Sequence, residues 1–243
     1  MPNYVILEKI IDFLIEPYEG YSNLQIVLEL IAALLGIASV IFSARKNILV
    51  YPTGIISTAI YVYLLFGWGL YGDTLINAYY FTMSIYGWYM WSKVDENSMT
   101  IPVTTMTHKE KFYASFIFLG AIVLVLFIYH FKPYIQSGFN TEVLSQLPEP
   151  FYWLREDNIS FDIKIQYVDT FTTALFFVGM WLMARKKLEN WIFWIVGDLV
   201  AIPMYLFRGY GITAFQYFIF LIPAVIGYFA WRKDVVRRKQ NGR

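Results

Sequence analysis

Seven long apolar runs dominate the sequence and restrict its possible folds more than any other feature. Each has about 17 to 20 residues, roughly what a helix needs to cross a hydrocarbon layer about 30 Å thick. A soluble domain with 58% hydrophobic and 15% charged residues could not cover its surface with polar groups. We therefore predict an all-α polytopic membrane protein. Its predicted spans are residues 24–43, 48–66, 75–92, 112–131, 168–184, 190–207 and 212–231.

The first twenty residues differ from a cleavable signal peptide. Glu8, Asp12 and Glu16 interrupt their apolar stretch, and no basic leader precedes it. We expect residues 1–20 to form a short amphipathic helix that lies at the membrane surface or is partly inserted.

The sequence lacks the side chains that several kinds of chemistry require. The chain has no cysteine, which excludes disulfides, thiol catalysis and thiolate metal sites. It has no Walker A loop, and its two histidines, His108 and His130, lie in a loop and at a helix end. Gly54-Ile-Ile-Ser57 resembles part of a membrane serine protease, but no span carries a histidine to act as the base. We predict no enzyme, no metal or cofactor and no nucleic-acid partner; the partners are a small solute and the lipid bilayer, and a homo-oligomer is left open.

Basic residues are distributed unevenly over the predicted loops. If the spans alternate in direction, 14 of the 19 lysines and arginines fall on one side of the membrane. The positive-inside rule then places the N-terminus outside and the C-terminus, with a basic tail at 234–243, in the cytoplasm. The exceptions are Lys9, Lys132, Arg155, Lys164 and Arg208.

The predicted external segment 132–167 is long for a featureless loop. It contains Pro133, Pro148 and Pro150 together with five acidic residues. A spacer that returns the chain for its second half is the favoured interpretation, and a short surface helix or a lid is the alternative.

The chain contains one three-span unit twice. Ala44-Arg45-Lys46 closes the first span and Ala184-Arg185-Lys186 closes the fifth, at an offset of 140 residues. The same offset relates the ends of the third and seventh spans, which hold Gly87, Trp91 and Lys93 in one and Gly227, Trp231 and Lys233 in the other.

We interpret residues 24–93 and 168–233 as parallel repeats joined by a connector span at 112–131. This 3+1+3 arrangement gives both triplets the same direction in the membrane. Parallel repeats occur in transporters, SWEETs among them, with the substrate between the halves. A duplication that only builds a helical bundle is the alternative.

Polar and aromatic side chains recur at helical spacing inside three of the spans. In the third span, Asn77, Tyr80 and Ser84 follow one another at steps of three and four and share one face. A buried polar group without a partner costs roughly 2–7 kcal/mol, so such a face must meet protein or a water-filled cavity. We predict that a substrate cavity is lined by Asn77, Tyr80, Ser84, Trp194, Asp198, Tyr205, Gln216 and Phe220.

Asp198 is the most costly of these side chains. It lies about 12 Å into its helix at 1.5 Å per residue, and an aspartate at the membrane centre costs about 2.5–3.5 kcal/mol. Either it contacts a solute, or it is protonated or hydrogen-bonded and fixes its helix to a neighbour. Aromatic rings beside a carboxylate suit a flat, cationic or hydroxylated solute. Trp194 fits that role, whereas we place Trp191 in an interfacial tryptophan belt.

Asn77 and Gln216 lie about one turn inside the outer surface on equivalent helices, which suggests a pair of amides that clamps a solute, with interhelical hydrogen bonding as the alternative. Glu29, Asp73 and Asp169 lie near the outer ends of their spans. We predict that these three shape an entrance or gate; solvated helix ends are the alternative.

Two groups of motifs resemble the PnuC family of nicotinamide riboside transporters, and the similarity extends over about residues 24–233. The first group contains Leu70-Tyr71-Gly72-Asp73 and Tyr86-Gly87-Trp88-Tyr89-Met90-Trp91. The second contains Asn190-Trp191-x-x-Trp194-x-x-Gly197-Asp198, Pro203-x-Tyr205 and Gln216-Tyr217. The acidic segment 132–167 departs from the family pattern, in which we expect a shorter connector.

The resemblance implies a bacterial inner-membrane importer of nicotinamide riboside, a precursor of NAD. It implies a SWEET-like fold and facilitated diffusion, with a cytosolic kinase that traps the product. Trp194 and the tyrosines would then contact the charged nicotinamide ring, while Asp198, Asn77 and Gln216 would bind hydroxyls or the amide. A facilitator of the same architecture for a sugar or a thiamine-like vitamin is the alternative.

Overall fold

A computed structural model describes residues 21–68, 71–93, 101–147, 161–208 and 211–240. Within these ranges the chain forms seven long α-helices and one short 3-10 helix. The helices are α1 (Asn23–Ala44), α2 (Val50–Gly67), α3 (Tyr71–Ser92), α4 (His108–Gln136), the 3-10 helix (Thr141–Gln146), α5 (Phe161–Ala184), α6 (Asn190–Phe207) and α7 (Gly211–Gln240).

Six of the seven long helices in the described ranges are long and apolar enough to span a membrane. This confirms the prediction of an all-α, multi-pass membrane protein. The exception is α3, which has 22 residues but carries Asp73, Asn77 and several tyrosines, so its mean hydropathy is lower. A seventh span at α3 therefore stays a prediction.

The helices extend beyond the apolar runs that predicted them. The connector run 112–131 becomes the 29-residue α4, and α7 continues to Gln240, so most of the basic tail is helical. The predicted loop 132–167 holds the end of α4, the 3-10 helix and the start of α5, while residues 148–160 lie outside the described ranges. The predicted amphipathic helix at 1–20 also lies outside them.

The repeated Ala-Arg-Lys motif ends α1 and α5 with the same backbone turn. Lys46 and Lys186 both have positive φ, at 57° and 52°. The amide of Lys46 donates to the Ser43 carbonyl at 2.9 Å, and that of Lys186 donates to the Met183 carbonyl at 3.0 Å. These bonds satisfy carbonyls that a helix C-terminus otherwise leaves unpaired. We call this end of the bundle the basic end, because Arg45, Lys46 and residues 185–187 lie there.

Sequence neighbours pack against each other, from α1 with α2 to α6 with α7. Two further contacts join the first three helices to the last three: α1 with α7, and α3 with α5. Helix α5 is the most buried, with 72% of its apolar window inside the bundle, against 11% for α1. The bundle is therefore organised around α5.

A strand-like connection fixes the basic end of α4 to the turn before α6. Thr104 donates its amide to the Lys186 carbonyl at 3.1 Å and accepts from the Leu188 amide at 2.8 Å. The Glu110 carboxylate pairs with Arg185 at 3.2 Å and with Lys187 at 2.9 Å. The described structure thus couples α4 to the last three helices.

The main hydrophobic cluster lies at the basic end and contains aromatic residues separated by the 140-residue offset. Trp91 and Trp231 are 3% and 0% exposed, and their ring centroids are 5.9 Å apart. The Trp91 indole donates to the Met183 carbonyl at 3.1 Å, and the Trp231 indole donates to the Ser43 carbonyl at 3.1 Å. Residues separated by the 140-residue offset therefore make the same contact in opposite directions.

Gly87 and Gly227 allow this close aromatic packing. A Cβ added at Gly87 would overlap the ring of Tyr51, and one added at Gly227 would overlap the ring of Trp191. We expect Gly87→Ala and Gly227→Ala each to destabilise the protein by about 1–3 kcal/mol, the usual effect of overpacking a core. Thermal unfolding of the purified protein in detergent measures the change.

Gly120→Ala is the matched control, because nothing lies within 4 Å of a Cβ at this glycine in the middle of α4. Here a helical alanine should stabilise by about 0.5–1 kcal/mol. Equal stability of all three variants would contradict the packing described for the basic end.

Candidate functional site

A cavity of about 320 Å³ lies inside the bundle. Its volume is at the lower end of the range of about 300–1,000 Å³ that is usual for small-molecule sites. Six helices contribute to its wall, and none of the described residues of α4 does. The cavity lies between the first three helices and the last three.

All eight residues predicted to bind a solute line this cavity. Asp73 and Asp169, two of the three predicted entrance residues, line it as well, whereas Glu29 does not. The Oε2 atom of Glu29 is buried and has no hydrogen-bond partner among the described residues. The eight residues are Asn77, Tyr80, Ser84, Trp194, Asp198, Tyr205, Gln216 and Phe220.

A ladder of stacked rings forms one wall, which we call the aromatic wall (Phe176, Trp194, Tyr205 and Tyr217). Phe176 stacks on Trp194 with centroids 5.3 Å apart, and on Tyr217 with centroids 5.7 Å apart and planes within 4°. Tyr217 stacks in turn on Tyr205 at 5.2 Å. This wall of the cavity therefore consists of aromatic rings from three helices.

Tyr80 extends the aromatic lining from α3. Its ring lies 6.5 Å from Trp194 and 6.1 Å from Phe177. The neighbouring Tyr79 holds α3 in place, because its ring stacks on Phe177 at 4.0 Å and its hydroxyl donates to the Phe177 carbonyl at 2.9 Å. The position of Tyr80 is therefore fixed by contacts between α3 and α5.

Asp198 is 3% exposed and lines the cavity. Its carboxylate makes no hydrogen bond or ion pair within the described ranges, and no lysine, arginine or histidine is among the lining residues. Trp194 lies one helical turn before it, and residues four apart share a helix face. An uncompensated carboxylate beside an aromatic face favours a cationic ligand.

The other polar side chains of the cavity differ in whether they already make hydrogen bonds within the protein. Asn77 donates its side-chain amide to the Asp73 carbonyl at 2.9 Å, which leaves its Oδ1 atom as an acceptor. On the opposite wall, Ser39 and Ser57 donate to the carbonyls of Val50 and Ala32 at 2.8 and 2.7 Å. The Ser39 and Ser57 hydroxyls of α1 and α2 are therefore already bonded, and the polar groups suited to recognition come from α3, α6 and α7.

Asp169 connects the cavity to α4. Its carboxylate accepts a hydrogen bond from the hydroxyl of Tyr129, which belongs to α4. Through this contact α4 positions a lining residue although it lines no part of the cavity itself.

The expected interfacial position of Trp191 was wrong. Trp191 is 1% exposed, lines the cavity and packs edge-on against Trp231 with centroids 5.4 Å apart. Depth counted along one helix places it at the membrane edge, but α7 continues past that depth and covers it.

The sequence interpretation also missed Phe176, Thr172, Thr173 and Tyr217 as lining residues. The seven residues from Thr172 to Val178 in α5 are all uncharged and all buried, so no single face of the helix stands out. In the sequence, Gly197 was the one feature that pointed to a close helix contact here. The structure explains this glycine, because a Cβ at Gly197 would overlap the ring of Phe176.

Comparison with known proteins finds that a family profile described as "Nicotinamide mononucleotide transporter" matches residues 26–233. The nicotinamide riboside transporter PnuC of Escherichia coli K12 is 22% identical over 213 residues, covering 84% of each chain. PnuC of Neisseria mucosa is 25% identical over 214 residues, covering 85% of this chain and 72% of that one. The riboflavin/roseoflavin transporter RibM of Streptomyces davaonensis is 22% identical over 196 residues, covering 79% and 78%.

The crystal structure of the vitamin B3 transporter PnuC has a similar fold. It aligns with a TM-score of 0.59 at 21% identity and covers 94% of this chain and 90% of that chain. At this identity the likeness supports the fold, and the site has to be argued from the residues described above.

A thiol probe distinguishes the cavity wall from the lipid-facing surface. Ser84 lines the cavity and is 3% exposed, whereas the adjacent Ile85 is 49% exposed on the outside of the bundle. Because only a hydrated thiol ionises readily, we expect Ser84→Cys to react at least about 10-fold faster than Ile85→Cys with a membrane-impermeant thiosulfonate.

The natural chain contributes no background to this experiment, because it has no cysteine. Labelling is followed by mass spectrometry in proteoliposomes. Faster reaction at Ile85→Cys would place water on the wrong side of α3 and contradict the cavity.

Proposed function

This chain belongs to the nicotinamide mononucleotide transporter family, and we propose that it imports nicotinamide riboside across the bacterial inner membrane by facilitated diffusion. The observation that carries this proposal is the unpaired Asp198 carboxylate in a cavity with an aromatic wall. Nicotinamide riboside has a flat, positively charged ring and a ribose with hydroxyl groups. The cavity offers a partner for each of these features.

In the proposed complex, the nicotinamide ring lies against Trp194 and Tyr80, with Asp198 close to its charge. Stacking and cation–π contact would hold the ring. Asn77 and Gln216 would bind the amide or ribose hydroxyls, and Ser84 lies within the same lining to complete the polar contacts. Tyr205 and Phe220 close the aromatic surface around the solute.

We further propose that the seven helices form a SWEET-like 3+1+3 arrangement that works by alternating access. Residues 24–93 and 168–233 would be the two halves, and α4 the connector. The exchanged indole bonds of Trp91 and Trp231 support a pseudo-twofold relation between the halves. The absence of α4 from the described lining agrees with a connector role. Asp73 and Asp169, at the opposite end of the cavity from Trp191, would form the entrance.

The proposed orientation has the N-terminus outside and the basic end in the cytoplasm. It is supported by the 14 of 19 basic residues that fall on one side. One positive charge that moves inward gains about 2.3 kcal/mol per 100 mV of inside-negative potential. Uptake of a cationic riboside therefore needs no coupled ion, and the transported molecule leaves chemically unchanged.

The second candidate is uptake of another vitamin of similar size. The relative RibM, which aligns with 79% of this chain, is named a riboflavin/roseoflavin transporter. A three-ring flavin is large for a cavity of about 320 Å³, and a neutral sugar has no positive charge to pair with Asp198. A thiamine-like cation is the closest competitor, because it is also flat and positively charged.

Calorimetric binding to the purified protein tests the substrate. Nicotinamide riboside should bind at least about 10-fold more tightly than thiamine, riboflavin or glucose, since one well-placed cation–π or hydrogen-bond set contributes about 1–3 kcal/mol.

Trp194→Ala and Asn77→Ala should each weaken riboside binding while the protein stays folded. Trp88→Ala, which removes a 43% exposed tryptophan, is the control and should bind like wild type. Preference for thiamine, or unaltered affinity in both site variants, would reject the assignment.

Asp198→Asn tests the charge alone, because the amide has nearly the same shape as the carboxylate. We expect riboside affinity to fall by about 10-fold or more, in line with a desolvated cation contact of about 2 kcal/mol. Binding of neutral riboflavin or glucose should not fall with it. If the variant binds riboside as tightly as wild type, Asp198 is not the partner of the positive ring.

A further inference from the structure

We propose that the indole N–H groups of Trp91 and Trp231 form a two-part latch that closes the cytoplasmic side of the cavity. This inference rests on the proposed alternating access and deepens it. The cavity lining ends at the basic end with Ser43, Met183 and Trp191. Trp91 and Trp231 lie directly behind these residues and are almost completely buried. A solute that leaves toward the basic end must therefore pass them.

Each latch bond joins the two halves. Trp91 of α3 donates to Met183 of α5 at 3.1 Å, and Trp231 of α7 donates to Ser43 of α1 at 3.1 Å. Separation of the first three helices from the last three at this end breaks both bonds together. The donors and the acceptors are each 140 residues apart, so the two bonds are equivalent and cross the same boundary.

The accepting carbonyls make release easy. Ser43 O also accepts the Lys46 amide at 2.9 Å, and Met183 O also accepts the Lys186 amide at 3.0 Å. A carbonyl oxygen has two lone pairs, so each keeps one bond within its own turn when the indole leaves. Only the two indole N–H groups need new partners, and water in an open passage supplies them.

Buried polar atoms around the latch oppose the closed state. Four of them have no hydrogen-bond partner among the described residues, and a buried unsatisfied group is unfavourable until water reaches it. Two of these atoms belong to Tyr51 and Trp191, which are 140 residues apart. Their rings pack edge-on against Trp91 and Trp231, with centroids 5.2 and 5.4 Å apart. The four atoms are Ser43 Oγ, Tyr51 Oη, Asn190 Oδ1 and Trp191 Nε1.

Charged residues cover the latch from the basic end. The Lys186 ammonium lies 4.5 Å from the centroid of the Trp91 ring, and Lys46 pairs with Asp234 of α7. Burial is the main cause that lowers the pKa of Lys186, and the charges of Arg238 and Lys46 lower it further. Positively charged side chains therefore cover the latch on the side of the basic end.

A reporter cysteine at Met180 measures opening. Met180 lines the cavity one turn before Met183 and is 6% exposed. In inverted membrane vesicles, an impermeant thiosulfonate should label Met180→Cys much more slowly than Arg45→Cys, which is exposed at the basic end. Equal rates would show that no seal lies between the cytoplasm and the cavity, whether or not any latch variant can be purified.

Latch variants should change this rate in opposite directions. Trp91→Phe and Trp231→Phe each remove one indole bond and should accelerate labelling about 2- to 10-fold, the equilibrium effect of a single net hydrogen bond. Tyr51→Phe removes an unsatisfied hydroxyl and should slow labelling. Trp88→Phe, on the exposed side of the same helix as Trp91, should leave the rate unchanged. General loosening of the fold would accelerate labelling in all of the core variants, so a faster Tyr51→Phe would contradict the latch.

Labelling requires no riboside, so it separates this inference from the proposed substrate. If the rates change as expected but nicotinamide riboside does not bind, the latch stands and the substrate assignment fails. If riboside binds but neither tryptophan variant changes the labelling rate, the indole bonds do not hold the closed state and the latch is rejected.

Discussion

The cost of an unpaired polar group in hydrocarbon governs this structure. Backbone groups meet that requirement inside helices, which is why the described residues form long helices and almost nothing else. Side chains meet it in two other ways. Ser39 and Ser57 bond to backbone carbonyls of neighbouring helices, and Trp91 and Trp231 do the same across the bundle. Asp198, which makes no such bond within the described ranges, faces an internal cavity.

Helical spacing located much of the cavity from sequence because the membrane makes polar residues informative. Asn77, Tyr80 and Ser84 could be assigned to one face, and the structure places all three in the lining. Spacing fails where every face is buried, as in α5, whose Phe176 and Thr173 were missed. It also fails where depth depends on another helix, as for Trp191, and it does not show how far Glu29 lies from the cavity wall.

The recurrence of glycine and tryptophan at a 140-residue offset could be seen in the sequence, but its structural reason could not. Equal spacing of Gly87, Trp91, Gly227 and Trp231 indicated duplication alone. The structure shows why both residue types recur: the glycines admit rings of the same half, and the tryptophans bond to the other half. The symmetry is incomplete, since Thr104 and Glu110 tie α4 to the turn before α6. In the described structure α4 also packs more extensively on α5 than on α3.

The wall of small side chains from α1 and α2 bears on how such a chain diversifies. Gly36, Ser39 and Ser57 bound the cavity, and both serine hydroxyls are already bonded. A Cβ at Gly36 would approach the Ser57 hydroxyl to 3.3 Å. Substitution of one of these residues by a larger or smaller one changes the volume available to a solute, while the aromatic wall stays intact. Adaptation to solutes of different size can thus proceed by single substitutions in α1 and α2, without changes to the aromatic wall.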